Sequence, residues 1–182
     1  MKTIKKVFNI YEITELKGNA KNEAIENVRD QFQEMVSDFY YSEMLATFKE
    51  VAKELNINVV DWCIGCFDPN KYIHIDITDY MELPNIEKNK MVEKVNQFIK
   101  SDQDFLISGV YTDDYFKDYF IKNNINEVTY NNLYKHIIDS FDWVLNQYIK
   151  DLENDILNDD LMIEYSQDNE FMFLENGKFY QD

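Results

Sequence analysis

The segment from Thr129 to Asp160 is the longest periodic stretch in the chain, and it constrains the fold more than any other. Apolar side chains recur there at steps of three and four residues, which places them on one stripe of an α-helix. The positions in the stripe are Leu133, Ile137, Phe141, Val144, Leu145, Tyr148, Leu152 and Ile156. The segment therefore predicts a long helix over about 129–157, with a buried stripe and an acidic outer face.

Alternation of apolar and polar residues predicts strands in three other places. Val7 to Ile13 alternates and indicates an N-terminal strand. Two alternating runs flank a turn at Pro69, which predicts a β-hairpin over about 59–77. Asn176-Gly177 near the end of the chain predicts a C-terminal β-hairpin. We expect the N-terminal strand to join the central hairpin in a small antiparallel sheet.

Helical periodicity predicts further helices between and after these strands, over about 20–38, 42–55, 84–100, 112–120 and 158–167. Ser42 and Thr112 are suited to cap two of them, because a side-chain hydroxyl can accept from an unpaired backbone N–H. Helices packed on a small antiparallel sheet make an α+β fold. We predict a single α+β domain over residues 1–182, with 100–110 as the candidate boundary for any subdivision.

The net charge of −17 is distributed unevenly along the chain. Residues 1–100 hold 17 acidic and 13 basic side chains, whereas 101–182 hold 18 acidic and 5 basic. So strong a negative field disfavours direct binding to nucleic acid or to an anionic membrane. It attracts a basic surface, such as the nucleic-acid channel of another protein, or it serves only solubility.

Nothing in the sequence has the pattern of a membrane span, a secretion signal or an active site. No apolar run is long enough to cross a bilayer, so we expect a cytoplasmic protein. Cys63 and Cys66 have the spacing of a thioredoxin motif, but a strand does not supply the helix terminus that activates that thiol. His74 and His136 have no catalytic spacing. We predict no catalytic residue, no cofactor and no metal site.

Aromatic residues occupy several faces of the helix predicted around 112–120. Asp113, Asp114 and Asp118 lie between them, and Tyr115 and Tyr119 are among the aromatic residues. Tyrosine is enriched at protein interfaces because it joins apolar area to a hydrogen-bonding tip. The helix therefore has two interpretations, either an interface with a partner or a second copy, or a core element.

Both ends of the chain resemble a family of phage and prophage accessory proteins. Residues 11–25 (YEITELKGNAKNEAI) have the strand, Glu-Leu and Ala-Lys-x-x-Ala-Ile helix of that family. Residues 171–180 are similar to its closing Phe-x-x-(Asp/Glu)-Gly-(Lys/Arg)-x-Tyr hairpin, although residues 174–176 depart from it. The acidic chain also looks like phage-encoded anti-CRISPR proteins. This resemblance implies action in the bacterial host cytoplasm as an inhibitor of the nuclease Cas9.

Taken together, these features predict a non-enzymatic inhibitor whose acidic surface acts as a DNA mimic. The expected partner is a host nuclease protein, Cas9 or its guide-RNA complex. The alternative is a self-associating regulatory or structural phage protein, working as a homodimer and without a nuclease target. The predicted partner-binding residues are Asp113, Asp114, Tyr115, Asp118, Tyr119, Asp139, Asp142, Glu153, Asp159 and Asp160.

Overall fold

The computed structural model describes residues 7–100 and 113–180, apart from the side chains of Ser37, Asp38 and Asp113. These residues form an α+β fold of six helices and one two-stranded antiparallel sheet. The elements in chain order are α1 (Gly18–Glu54), β1 (Asn58–Cys63), β2 (Tyr72–Asp76), α2 (Thr78–Glu82), α3 (Asn85–Lys100), α4 (Asp113–Lys122), α5 (Leu133–Ile156) and α6 (Asp159–Asp168).

The chain divides into two compact units. Unit 1 contains residues 1–38 and 152–182, and unit 2 contains residues 39–151. The predicted boundary region at 100–110 lies outside the described residues, apart from Lys100. None of the helices described is long and apolar enough to cross a membrane.

The first helix is continuous where the sequence predicted two. Ser42 lies inside α1, and its hydroxyl donates to the carbonyl of Phe39 (2.8 Å) instead of capping a new helix. No proline or glycine occurs between Gly18 and Gly65, so nothing in the backbone chemistry forces a break. Asn56 follows the last turn with a left-handed φ of 51°, as expected of a helix-terminating asparagine.

Unit 2 is built around an aromatic core. Phe141 on α5 is fully buried and lies 5.3 Å from Phe48 of α1 and 5.0 Å from Phe116 of α4, measured between ring centroids. The apolar stripe predicted for α5 is confirmed, because none of its eight residues is more than 7% exposed. One face of α5 is thereby committed to packing, and only the other can meet a partner.

The sheet of unit 2 is the predicted central hairpin alone. β1 and β2 are antiparallel, with Trp62 opposite Ile73 and an irregularity between Val59 and Asp61. The predicted N-terminal strand does not join them, and this part of the prediction was wrong. Residues 7–10 pair with no strand in the described part of the chain, and Val7 is 92% exposed. Alternation alone does not make a strand when no neighbour supplies hydrogen bonds and a buried face.

Unit 1 has an aliphatic core completed by Phe173. The turn at residues 13–16, α1 and α6 contribute to it. Its buried residues are Ile13, Leu16, Ala24, Ile25, Val28, Met162 and Phe173. The predicted C-terminal hairpin is not formed as a pair of strands. Phe173 instead makes isolated bridges with Tyr11 and Phe179. Gly177 turns the chain with φ 84°, and a Cβ there would collide with the carbonyl of Ala20.

Candidate partner-binding surface

The outer face of α5 carries two acids that form no ion pair with any described lysine or arginine. Asp139 is half-buried and Asp142 is exposed. Their spacing of three residues makes them neighbours on the helix surface. Within the described chain, no lysine or arginine forms an ion pair with either of them. This acid pair, Asp139 and Asp142, is the part of the predicted surface in unit 2 where two neighbouring acids both lack an ion pair with a described lysine or arginine.

The acid pair carries an electrostatic cost. The surrounding protein desolvates the carboxyl of Asp142 and raises its pKa, and the negative charge of Asp139 raises it further. Both effects disfavour the charged form of a carboxylate. A cation placed beside the pair would relieve both the repulsion and the lost hydration.

Tyr119 of α4 lies next to this pair but is buried, with only 6% of its surface exposed. Its hydroxyl is 3.3 Å from Nδ1 of His136, and its ring is 6.3 Å from that of Trp143. Burial, together with the charge of Asp139, raises the pKa of Tyr119 to about 12. A direct contact between Tyr119 and a partner would require the side chain to leave this environment.

The other predicted residues of α4 differ in how accessible their side chains and charges are to a partner. Tyr115 is half-buried and donates a hydrogen bond to Asp151 (3.0 Å). Asp118 forms an ion pair with Lys122 (3.1 Å), so part of its charge is compensated. Asp114 is exposed. The side chain of Asp113 lies outside the described residues, as does Thr112, the predicted cap.

The remaining predicted acids belong to unit 1. Glu153 is half-buried, whereas Asp159 and Asp160 are exposed in the first turn of α6. Asn158 caps that turn by accepting from two backbone N–H groups, and acids there suit the helix dipole. Asp159 is bound by Arg29 at 2.5 Å, so its charge has a partner.

Arg29 is a structural residue whose role the sequence did not reveal. Its guanidinium binds Glu26, Asp159 and the carbonyl of Ile156, the last at 2.9 Å. The only signal in the sequence was that Arg29 is the single arginine among many lysines. A planar guanidinium with several donors can join three acceptors in a way that a lysine cannot.

In the described part of the chain, the thiols and histidines are not grouped as a metal centre. Cys63 and Cys66 form no disulfide bond and are half-buried. A hydrogen bond to Asp68 (3.4 Å) raises the pKa of Cys63, which disfavours the reactive thiolate. Across the ranges 7–100 and 113–180, no three His, Cys, Asp or Glu side chains are grouped so that they could hold a metal ion.

No protein-family model, no curated protein and no solved structure matches this chain.

Proposed function

We propose that this protein is a non-enzymatic, phage-encoded inhibitor of a host nucleic-acid-binding defence nuclease, with Cas9 as the first target to test. Its acidic surface competes with DNA phosphates for a channel lined by lysine and arginine. The acid pair Asp139 and Asp142 carries this proposal. The resemblance of both chain ends to phage accessory proteins supports the assignment to a phage, and the charge of the second half supports a basic partner.

The proposal follows from what a basic partner would do to the acid pair. A guanidinium or ammonium group near Asp142 favours its charged form and lowers its pKa. Complementary charge also speeds encounter with the partner and fixes its orientation. Binding therefore weakens as salt rises, because exposed charges are screened. It also weakens as pH falls through the raised pKa of Asp142, because the protonated carboxyl no longer attracts a cation.

The test is a DNA-cleavage assay with Cas9 and guide RNA, in which the protein is titrated at several salt concentrations. We expect Asp139→Asn/Asp142→Asn to weaken inhibition about tenfold or more, in the range seen for close charge pairs at interfaces. Glu82→Gln/Glu93→Gln is the matched control, since it removes two exposed charges of unit 2 elsewhere. Adding the protein before or after the guide RNA identifies the form of the nuclease that it binds.

Three results would contradict the proposal. The protein could fail to inhibit cleavage, or its affinity for the nuclease could be unchanged from low to high salt. The acid-pair and control variants could also lose the same amount of inhibition. The third result would mean that total charge matters and that these two residues have no special role.

A second candidate function is self-association without a nuclease target. The central hairpin favours it, because Val60, Trp62 and Tyr72 are exposed apolar residues on a two-stranded sheet. Sheet edges and exposed apolar residues are common sites of protein association. Sedimentation of the protein over a concentration series, compared with Val60→Lys, tests this function. A dimer lost in the variant, together with no effect on Cas9 cleavage, favours the second candidate over the first.

A further inference from the structure

Unit 1 contains a cleft that the proposed function does not use. It has a volume of about 510 Å³ and lies between the residues before α1 and the end of α6. This volume is within the range of roughly 300–1,000 Å³ that is typical of small-ligand sites. Its lining residues are Glu12, Ile13, Ser166, Gln167, Glu170, Phe171 and Met172.

The side chains of the cleft combine an apolar floor with an acidic rim. Ile13 is fully buried and Phe171 and Met172 are half-buried, whereas Glu12 and Glu170 are exposed. Neither acid forms an ion pair with any described lysine or arginine. The cleft therefore presents two uncompensated carboxylates above apolar surface.

A buried hydroxyl in the cleft has no partner. Ser166 is 1% exposed, and its Oγ makes no hydrogen bond with any described residue. Buried polar atoms are rarely left in this state, because an unmade hydrogen bond is costly. A ligand N–H group that entered the cleft could donate to this oxygen. Ser166 is thus a second indication of a ligand, independent of the acids.

Glu170 occupies a position where glycine is favoured. Its backbone has a left-handed φ of 54°, directly after α6. Its N–H donates to the backbone carbonyl of Gln167, and the N–H of Phe171 donates to the backbone carbonyl of Ser166, which is the Schellman pattern that ends many helices. Glycine adopts this conformation without strain and glutamate does not. Strained residues of this kind cluster at binding sites, where the role of the side chain in binding offsets the strain.

The opposite wall of the cleft is held in place by backbone hydrogen bonds. Tyr11 exchanges two of them with Phe173, both of 2.9 Å. The N–H of Glu12 donates to the side chain of Glu15 (2.9 Å), and the N–H of Glu15 donates to the carbonyl of Glu12 (3.0 Å). Glu12 therefore faces the cleft from a fixed turn, so a ligand need not order this wall when it binds.

We infer that this cleft binds an alkylguanidinium group, such as an arginine side chain or a small guanidine. A planar guanidinium presents several N–H donors that match two carboxylates, and a further donor can reach Ser166. Its alkyl stem fits the apolar floor, and its face can pack on the ring of Phe171. An alkylammonium lacks the planar fork and binds more weakly. The inference does not depend on the proposed inhibitor function, because the acid pair contributes nothing to the cleft.

The test is a titration of the full-length protein with butylguanidine, followed by NMR shifts of backbone amides. Butylamine of the same length and N-acetyl-arginine amide are titrated in parallel. We expect saturable shifts at Ser166, Gln167 and Phe171, with butylamine binding about threefold or more weakly because it lacks the fork. Equal binding of the blocked arginine means that a protein side chain can be the source of the ligand. Binding of butylguanidine alone assigns the cleft to a free small molecule.

Two pairs of variants separate the cleft from general charge. Glu12→Gln/Glu170→Gln is expected to weaken butylguanidine binding about tenfold, since two charge-assisted hydrogen bonds are lost. Glu164→Gln/Glu175→Gln removes the same charge from exposed positions of unit 1 outside the cleft, and we expect less than a twofold effect there. Equal losses in both pairs, or shifts outside the cleft, would overturn the inference.

Glu170→Gly gives the sharpest single test. It should raise the melting temperature, because glycine relieves the left-handed strain, and it should weaken butylguanidine binding severalfold. Loss of binding in a more stable variant cannot come from unfolding. No saturable binding to the unaltered protein, or unchanged affinity in a stabilised Glu170→Gly variant, contradicts the inference.

Discussion

The acids on the outer face of α5 and those in the first turn of α6 have the same chemistry and opposite electrostatic effects. In unit 2, the charge of Asp139 raises the pKa of Asp142 and of Tyr119, in both cases after the larger effect of burial. In unit 1, Arg29 has its pKa raised by a hydrogen bond with Glu26 and by the charge of Asp159. The first set repels its neighbours, and the second holds an arginine in place.

This difference shows that the number of acidic residues does not by itself give the amount of negative charge available to a partner. Residues 101–182 have 18 acidic and only five basic side chains, so the cations of this half are too few to pair one-to-one with its acids. Asp159 is compensated by Arg29, which is 130 residues away in the sequence. Asp139 and Asp142 receive no such cation from the described chain. A basic partner of the kind proposed would therefore meet the acid pair as uncompensated charge, whereas the charge of Asp159 is already bound within the fold.

Among the variants that test this comparison, Arg29→Met is expected to change the stability of the protein most. It removes the donors to Asp159 and to the Ile156 carbonyl, and we expect a loss of about 2 kcal/mol in the free energy of unfolding. Urea denaturation followed by circular dichroism measures this loss. Lys178→Met removes one exposed positive charge from the same unit and serves as the control. If both variants lose the same amount, Arg29 acts only through net charge.

Tyr119 should make the protein lose stability at alkaline pH. Its pKa is about 12 in the folded protein and 10.0 in an unperturbed side chain, so the unfolded chain ionises first as pH rises. The free energy of unfolding therefore decreases as the pH rises from 10.0 to about 12. We expect Tyr119→Phe to reduce the fall by roughly 1 kcal/mol.

The measurement for Tyr119 is urea denaturation at a series of alkaline pH values. Tyr115→Phe is the control, because Tyr115 lies on the same helix and is less buried. An identical pH dependence in the unaltered protein and in Tyr119→Phe would show that the tyrosine ionises normally.

Asp142→Asn should give the smallest effect, and one of opposite sign to that of Arg29→Met. The raised pKa means that the charged form of Asp142 destabilises the folded state at neutral pH. We expect the asparagine variant to be more stable by roughly 0.5 kcal/mol at pH 7, after allowance for solvent screening. The advantage should shrink as pH falls through the raised pKa and vanish below the ordinary value of 3.8.

Denaturation of Asp142→Asn and of Asp114→Asn at pH 7 and pH 3 measures this effect. Asp114 is an exposed acid of α4 and serves as the matched control. A destabilised Asp142→Asn variant at pH 7 would mean that the carboxylate has a favourable partner. The charge of the acid pair would then be compensated within the protein and would not be available to a partner.

Local patterns in the sequence predicted several elements correctly. The buried stripe of α5, the central hairpin and α3 all follow from periodicity over short stretches. These features depend on backbone geometry and on neighbours three or four residues away, which the sequence displays directly.

The sequence by itself determined which side chains share a face of each helix or strand. Only the tertiary structure decided which other residues each of these faces contacts. Whether Val7–Ile13 becomes a strand depends on a partner at Phe173, and whether Asp159 is free depends on Arg29. The cleft joins Glu12 to Ser166 and Glu170, which no periodicity connects. Charge compensation and cavities arise from contacts between distant residues, and a local pattern carries no information about them.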